Sequence, residues 1–477
     1  MHSPDKITFA QFIQLNKKDT STPIYLQLVN EMMKAIHLGN LPHQTKLPGT
    51  RQLEKVFGVN RNTIIKAFQE LEAQNYIQIL PNKGTYIYFP HQTNIKFNQK
   101  NIISDKAGFH FNTSRFFDHK KNKEALYNLN TPTLDTRLID LSLTNRLEHQ
   151  FKFKNIQEDE LNTTITNYLR ITKGIRLKED QIVGINGYKT SLHLLAQLLK
   201  DEHPSIAVAE KNEPAVNAIF QHYGWKIIPI KMDEFGIIPE ELEKAILKTH
   251  VKRVYIQTNF SYPTTISLTT HRQNEILHII SKYKGVIIED DVLGEYNYSS
   301  LPMHLLVQKS FENHIIYITQ LGKHLRSIYH QTLILGPSNF IKEITNQKYY
   351  ISDNHLDNSF VLNYILKEGL YTKSLKKIKK ELRDRRDYLG NLLLLHFGND
   401  IDFKLPKGGF HYWITFNLPI HLPKLQKDAL DMGLSIASEC IYQSKNEAHL
   451  IFPFSSYTTQ ELEKIVEIIK RSILKQV

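Results

Sequence analysis

Apolar side chains at Ile24, Leu28, Met32, Ala35 and Ile36 recur at the three-and-four spacing of one helical face, and Gly39 is placed to end that helix. A shorter pattern follows in TRQLEKVF. There Thr50 is an N-cap candidate, Leu53, Val56 and Phe57 form the inner face, and Gly58 closes the helix. A third pattern starts at Arg61 after the cap candidate Asn60, with Ile64, Ala67, Phe68 and Leu71 turned inward. The alternating runs YIQIL and TYIYF flank PNKG, which predicts a β-hairpin with a glycine-bearing turn. Three short helices and a hairpin over residues 20–89 predict an α+β winged helix-turn-helix.

The periodicity lapses through residues 90–127, an Asn-, Lys- and His-rich stretch that reads as a basic linker. Residues 128–477 read as a second domain. From about residue 180 the strand-like runs IVGI, SIAVAE, WKIIPI, VKRVYIQT, GVIIED, IIYITQ and QTLILG alternate with helix-like TSLHLLAQLLK, EPAVNAIFQHYG and SLTTHRQNEILHIISKYK. That alternation predicts a mostly parallel α/β sheet, whose ligands sit beyond the C-terminal ends of the strands. Residues 360–477 return to helices around GGFHYW and HLIFPF, a smaller α+β lobe. A chain of 477 residues exceeds one ordinary core, so the protein is expected to be multidomain.

Composition changes this picture in three places. No apolar run approaches the ~20 residues that cross a bilayer, and the start, MHSPDKITFAQF, lacks a secretory core, so no membrane partner is expected. The single cysteine, Cys440, excludes an intrachain disulfide and points to a cytoplasmic home, and it has no His- or Asp-rich neighbourhood that would make a metal site. The net charge of +12 is uneven: residues 1–90 hold ten Lys/Arg against six Asp/Glu, and residues 91–126 hold seven against three. An anionic partner for the first quarter of the chain, double-stranded DNA, fits that asymmetry.

On a winged helix the third helix reads the major groove. Its first turn presents Arg61, Asn62 and Thr63, with Lys66 one turn on. Arg51 would face phosphate from the preceding helix, and Lys83 and Gly84 at the wing tip suit the minor groove. In the second domain, chemistry-bearing residues collect at strand ends: Asp290 and Asp291 after GVIIE, Lys323 after IIYITQLG, Asn259 and Tyr262 after RVYIQT, and Tyr188, Lys189 and Thr190 at a helix start after Gly187. A lysine for a Schiff base, a carboxylate for a pyridinium nitrogen and a helix N-terminus for a phosphate are the parts of a pyridoxal phosphate site.

The stretch LPGTRQLEKVFGVNRNTIIKAFQELEAQNYIQILPNKGTYI resembles the GntR-type winged-helix domain, with its LP-x-x-R, G-V-x-R-x-T, tyrosine-bearing third-helix end and G-[ST]. Residues 128–477 resemble a fold-type-I aminotransferase, and the two together resemble the MocR subfamily of regulators. Matching stretches are YLRITKG (168–174), GYKTSL (187–192), EDDV (289–292), QLGKHL (320–325) and GGFHYW (408–413). The resemblance implies that Lys323 holds the Schiff-base position and Asp290 the pyridinium position. It also marks departures. The phosphate-gripping arginine is His330, the ring-oxygen tyrosine is Val292, the ring-stacking aromatic falls at Glu213, the P-T-G turn reads Pro263-Thr264-Thr265, and the arginine for a substrate carboxylate is Ile451. Lys189 replaces a glutamine of the phosphate cup and offsets part of the lost arginine.

The reading that follows is a homodimeric, sequence-specific transcription regulator with a degenerate aminotransferase-like site, from which turnover is expected to be absent or negligible. It would grip an operator through the winged helix and sense an amine or amino-acid effector through pyridoxal phosphate on Lys323. The alternatives are an active aminotransferase with an accessory DNA-binding domain, and a cofactor-free regulator that uses the second domain as a scaffold.

Overall fold

The first apolar pattern becomes helix α1 (Ile24–His37), the second α2 (Thr50–Phe57) and the third α3 (Arg61–Ala73), followed by strands β1 (Ile77–Leu80) and β2 (Gly84–Ile87). The structure is a computed structural model, and it describes residues 13, 15, 23–37, 41, 45–73, 76–81, 83–87, 102–104, 110–112, 125–150, 158–299, 303–309, 314–325, 329–351, 359–444 and 447–476. The chain divides into two units, residues 1–115 and 116–477.

In the first unit Leu28, Met32, Leu53, Phe57, Ile64, Phe68, Leu71, Ile77 and Ile87 share one core. The hairpin pairs Ile77 with Ile87 and Leu80 with Gly84. Lys46 bridges Tyr86 on the outer side of β2, so the wing gains a third extended segment. Two expectations need correction. Val56 is 46% exposed, because a helix of eight residues turns only Leu53 and Phe57, four apart, into the core. Thr50 is the first helical residue and not the cap; Gly49 occupies the cap position without a side-chain bond. Gly58 closes α2 with φ 58°, as expected. Gly39 lies outside the described residues. Within the stretch read as a linker, β3 (Ile102–Ser104) and β4 (His110–Asn112) pair antiparallel.

The second unit opens with β5 (Tyr127–Leu129), α4 (Leu141–Gln150) and α5 (Glu158–Lys173). There follow β6 (Ile182–Ile185), α6 (Tyr188–Leu198), β7 (Ser205–Ala209), α7 (Pro214–His222) and β8 (Lys226–Ile230). A small hairpin, β9 (Met232–Asp233) and β10 (Gly236–Ile237), leads to α8 (Pro239–Thr249), β11 (Arg253–Ile256), α9 (Thr270–Lys282), β12 (Val286–Asp291), β13 (Ile315–Leu321) and β14 (Gln331–Leu335). Seven of these strands form one sheet in the order β6-β14-β13-β12-β11-β7-β8. Only β14 runs against its neighbours. Helices α10 (Ser338–Ile351), α11 (Ser359–Lys367) and α12 (Leu370–Phe397) lead to a smaller lobe. Its strands β15 (Ile401–Phe403), β16 (His411–Phe416), β18 (Ile441–Gln443) and β19 (Ala448–Pro453) make a four-stranded antiparallel sheet. Helices α13 (Leu422–Leu430) and α14 (Thr459–Leu474) complete it, and β17 (Leu434–Ile436) pairs with β5. The architecture is the mixed α/β sheet with a smaller α+β lobe that the sequence pattern predicts.

Strand alternation sorts β12 between two cores. Ile287 joins one core with Val254 and Tyr317, and Ile288 joins the other with Tyr255, Ile316 and Ile318. Asp290 therefore faces the side of Ile288, and Glu289 and Asp291 face the side of Ile287.

An ion network around the buried Asp135 ties the beginning of this unit to α12. Asp135 accepts from Arg137 at 2.8 Å and from Arg385 on α12 at 2.9 Å. Burial alone would raise the Asp135 carboxyl, but bonds from Arg137 and Arg385 outweigh it and hold the pKa below the usual range. Asp135→Ala should leave Arg385 short of its buried partner and destabilise this unit by about 3 kcal/mol, the low end for breaking a buried pair. Both tryptophans, Trp225 and Trp413, lie in this unit, so urea unfolding followed by tryptophan fluorescence reads the loss directly.

Candidate functional site

In the first unit, Asn60 caps α3 by accepting the Asn62 N–H at 2.9 Å. The cap sets the angle at which the first turn leaves the domain. Arg51, Arg61, Asn62, Lys66, Lys83 and Gly84 are exposed and Thr63 is half-buried. Arg61 reaches back so that its Nε lies 3.4 Å from the Thr50 hydroxyl, which ties α3 to the start of α2. The Lys66 amine stands 4.2 Å from the centre of the Tyr25 ring, a cation–π contact that holds the side chain against α1. Gly84 has φ 112°, a conformation that glycine adopts without strain. The structure thus gathers Arg61, Asn62, Thr63 and Lys66 on one helix, with Arg51 beside it and Lys83 and Gly84 at the wing.

In the second unit, β12 delivers Asp290, which is 1% exposed. Its carboxylate accepts the hydroxyls of Tyr188, from the first turn of α6, and Tyr255, from β11, together with the Val292 N–H at 3.0 Å. Burial raises its pKa while those three donors oppose the rise. Lys323 follows β13 through Gly322, whose φ is 80°. A Cβ at Gly322 would lie 2.4 Å from the Tyr329 carbonyl oxygen, so the turn that presents Lys323 requires glycine. The Gly322 N–H donates to the Tyr371 hydroxyl at 2.7 Å, and Tyr371 in turn donates to Glu295 at 2.7 Å. Tyr168 of the YLRITKG stretch donates to the other Glu295 oxygen at 2.9 Å. Burial lowers the Lys323 pKa, and the carboxylates of Glu213, Asp290 and Glu295 oppose that, Glu213 most strongly.

The remaining sequence-predicted residues are placed as follows. Tyr188 meets Asp290 directly, and Lys189 is exposed beside it with Thr190 next on the same turn. Tyr262 packs 5.4 Å from the His411 ring, and His411 lies 2.8 Å from the Pro263 carbonyl. Asn259 donates to the His304 carbonyl at 3.3 Å. His330 contacts the Leu325 carbonyl at 3.1 Å, and burial pushes its pKa down. Thr264 and Thr265 line a cavity of about 720 Å³ with Asp233, Lys404 and Trp413, whose wall includes neither Lys323 nor Asp290.

Sequence reasoning missed Tyr255, Glu295 and Tyr371, which hold Asp290 and the Lys323 turn. It also missed that Lys173 of YLRITKG pairs with Asp291 and lies 3.0 Å from the Tyr317 hydroxyl, on the opposite face of the sheet from Asp290. The Tyr255 signal was present: it is a polar-tipped aromatic inside a buried strand, where a hydroxyl needs a partner.

Comparison with known proteins matches residues 24–87 to the bacterial regulatory proteins of the gntR family and residues 144–469 to the class I and II aminotransferases. The HTH-type transcriptional regulator YdfD of Bacillus subtilis is 25% identical over 469 residues, covering 94% of this chain and 96% of that protein. The HTH-type transcriptional regulator NorG of Staphylococcus aureus is 24% identical, covering 86% and 96%. Among solved structures, the kynurenine aminotransferase of Pyrococcus horikoshii superposes with a TM-score of 0.66 at 19% identity, over 75% of this chain and 92% of that one. An archaeal alanine:glyoxylate aminotransferase gives 0.67 at 18% identity, over 75% and 93%. These structural likenesses establish the fold. With one match spanning the head and the other most of the body, the chain belongs to the class I and II aminotransferase family, in the MocR-like arrangement that places a gntR-family domain in front.

Proposed function

We propose that the protein is a sequence-specific DNA-binding transcription regulator of the cytoplasm, whose aminotransferase-like unit forms a homodimer and senses a small ligand through pyridoxal phosphate on Lys323. The observation that carries this reading is the pairing of an exposed, capped α3 with a body that retains Lys323 beside Asp290 yet has a fully buried Ile451 in place of a substrate-gripping arginine. Relatives that align over nearly the whole chain are named as regulators. Among the described residues, no helix is long and apolar enough to cross a membrane.

On this reading Arg61, Asn62 and Thr63 address base edges. Arg51, Lys66 and Lys83 hold phosphates, and Gly84 lets the wing backbone approach the duplex. Arg61→Ala should cost about 1–3 kcal/mol of operator affinity and relax specificity, whereas Lys66→Ala should weaken all sequences alike and flatten the salt dependence. Fluorescence anisotropy with operator and scrambled duplexes measures both. Unchanged operator affinity in Arg61→Ala would sink the docking assignment.

The residues present fit the cofactor at three points. A carboxylate offers about four lone-pair sites, and Asp290 has three donors, so one remains for a pyridinium N–H. The lowered Lys323 pKa favours the neutral, nucleophilic amine. The first-turn amides of α6, with Lys189 and Thr190, form an anion site for a phosphate, entered through Gly187 at φ 97°. His330, Asn259 and Tyr262 border this site in the reading, His330 without the charge of an arginine. When bound, pyridoxal phosphate supplies an aldehyde that captures amines and an electron-withdrawing ring. The chain contributes position: Asp290 would keep the ring nitrogen protonated, and Tyr188 and Tyr255 would keep Asp290 ionised and in place. Ile451, buried where the family pattern has its carboxylate clamp, favours sensing over turnover. Pyridoxal phosphate should therefore colour the purified protein, Lys323→Ala should abolish the covalent adduct, and Asp290→Ala should weaken binding and shift the absorption band. A protein that stays colourless in excess cofactor would favour the scaffold alternative.

Fold-type-I aminotransferases are dimers as a class, and two DNA-binding heads suit an operator with two half-sites. Light scattering at micromolar concentration should give the mass of two chains. A monomer that binds a single half-site one-to-one would remove the dimer from the proposal.

A further inference from the structure

The wing carries a cation that its own hairpin does not supply. Lys46 precedes α2 in the chain, yet it bridges Tyr86 of β2 in antiparallel register. The flanking bonds run from the Leu47 N–H to the Thr85 carbonyl at 2.8 Å and from the Ile87 N–H to the Thr45 carbonyl at 3.0 Å. Lys46 and Tyr86 are therefore directly opposed with no hydrogen bond between them, the pairing that brings side chains closest on one face. Tyr86 pairs in turn with Gln78 of β1. Gln78 and Lys46 are both exposed, while Ile77 and Ile87 alternate to the other face and join the core. Lys46 thus belongs to the outward face of the wing.

On that face Lys46 leans toward the tip. Gly84 stands two residues from Tyr86 on the same side, and a Cβ placed there would lie 2.9 Å from Lys46 Cε and 3.6 Å from its Nζ. The lysine stem fills the room that the missing side chain leaves. Its amine also lies 5.7 Å from the centre of the Tyr86 ring. The Tyr86 hydroxyl donates to the Lys83 carbonyl at 3.2 Å, so one tyrosine braces both the tip backbone and the Lys46 side chain. The carboxylate that α3 sends to the hairpin, Glu72, accepts the Ile79 N–H at 3.0 Å. Lys46 and Lys83 are exposed, and among the described residues neither amine is paired with a carboxylate. Two cationic side chains are therefore based at one turn, brought there from segments far apart in the sequence.

We propose that Lys46 is a DNA-binding residue, which together with Lys83 holds the phosphate backbone where the wing meets the duplex. The proposal rests on the reading of the winged helix as the DNA-binding head, and it adds a residue that lies outside the three helices and the hairpin. It also gives Gly84 a second role, that of seating the Lys46 stem at the tip. An amine held this way addresses phosphate oxygens, which carry no base information. Lys46 therefore contributes affinity and salt dependence but no sequence preference. A lysine on an edge segment also discourages strand pairing between molecules, a role that would leave DNA affinity untouched.

The test uses the full-length protein and two duplexes, one selected by the parent protein from random sequence and a shuffled copy of it. Fluorescence anisotropy follows binding from about 50 to about 200 mM salt. Lys46→Gln keeps most of the stem and loses the charge. It should weaken both duplexes by the same factor and lower the slope of log affinity against log salt by about 0.9, the share of one phosphate. The parent's advantage should then shrink about threefold across that salt range. Lys46→Arg should keep the affinity and the slope of the parent. Circular dichroism should give both variants the parent's melting temperature, because the side chain is exposed. The proposal fails if Lys46→Gln leaves the slope unchanged, if it weakens only the selected duplex, or if Lys46→Arg behaves like Lys46→Gln, which would leave Lys46 a packing or edge-guarding role. A parent that binds with a slope Lys46→Gln does not alter overturns this assignment alone. A parent that selects no duplex overturns the DNA-binding reading, and this assignment with it.

Discussion

Strand β12 ends in three consecutive buried carboxylates, Glu289, Asp290 and Asp291, and the second unit is arranged around satisfying them. A buried carboxylate without partners is too costly to keep ionised. Alternation sends Asp290 to one face of the sheet and its two neighbours to the other, so each face must bring its own donors. Glu289 takes the Thr258 hydroxyl and the N–H groups of Leu306 and Val307, both at 2.8 Å. Those bonds fix the loop before β13. Burial still lifts Glu289 to about 7. Asp291 pairs with Lys173 at the end of α5 and with Tyr317 of β13. Asp290 draws in α6 and β11 through two phenols. One strand end therefore pins two helices, two strands and a loop.

Lys323 depends on that arrangement indirectly. Its turn is set by Gly322, and the Gly322 amide is held by Tyr371, which is oriented by Glu295. Glu295 lies four residues beyond Asp291, so the segment that leaves β12 also positions the lysine that leaves β13. A Cβ at Gly294 would overlap the Asp291 carboxylate, which is how tightly this segment folds back on the strand.

This dependence explains what the sequence could disclose. The faces of α1 and α3, the hairpin, and the strands that end at Asp290 and Lys323 are written in local periodicity, and they were legible. The Thr50 cap and the burial of Val56 were misread because a single residue's shift in where α2 begins, or in which way it faces, leaves the local pattern unchanged. Tyr255, Glu295, Tyr371 and Lys173 were not legible as parts of a site. Their partners lie from 35 to 146 residues away, and no spacing along the chain records strand parity across a sheet. Glu213 was noticed only as a departure from a family pattern; the rise that burial gives its carboxyl is a property of the folded chain.

Ile451 and Glu213 show that losing an enzyme's residue is not simple erosion. At Ile451 a position that would carry a buried cation is filled by an apolar side chain, within a strand whose six residues are all buried. Exchanging a buried ion for well-packed hydrocarbon is often neutral or stabilising, so the small lobe loses no stability by giving up the clamp. At Glu213 the exchange runs the other way. A flat apolar ring position receives a carboxyl whose pKa burial pushes up to about 7, with Asp290 adding to the rise and Lys323 opposing it. A regulator needs occupancy to differ from vacancy by a favourable free energy, and it does not need a turnover cycle.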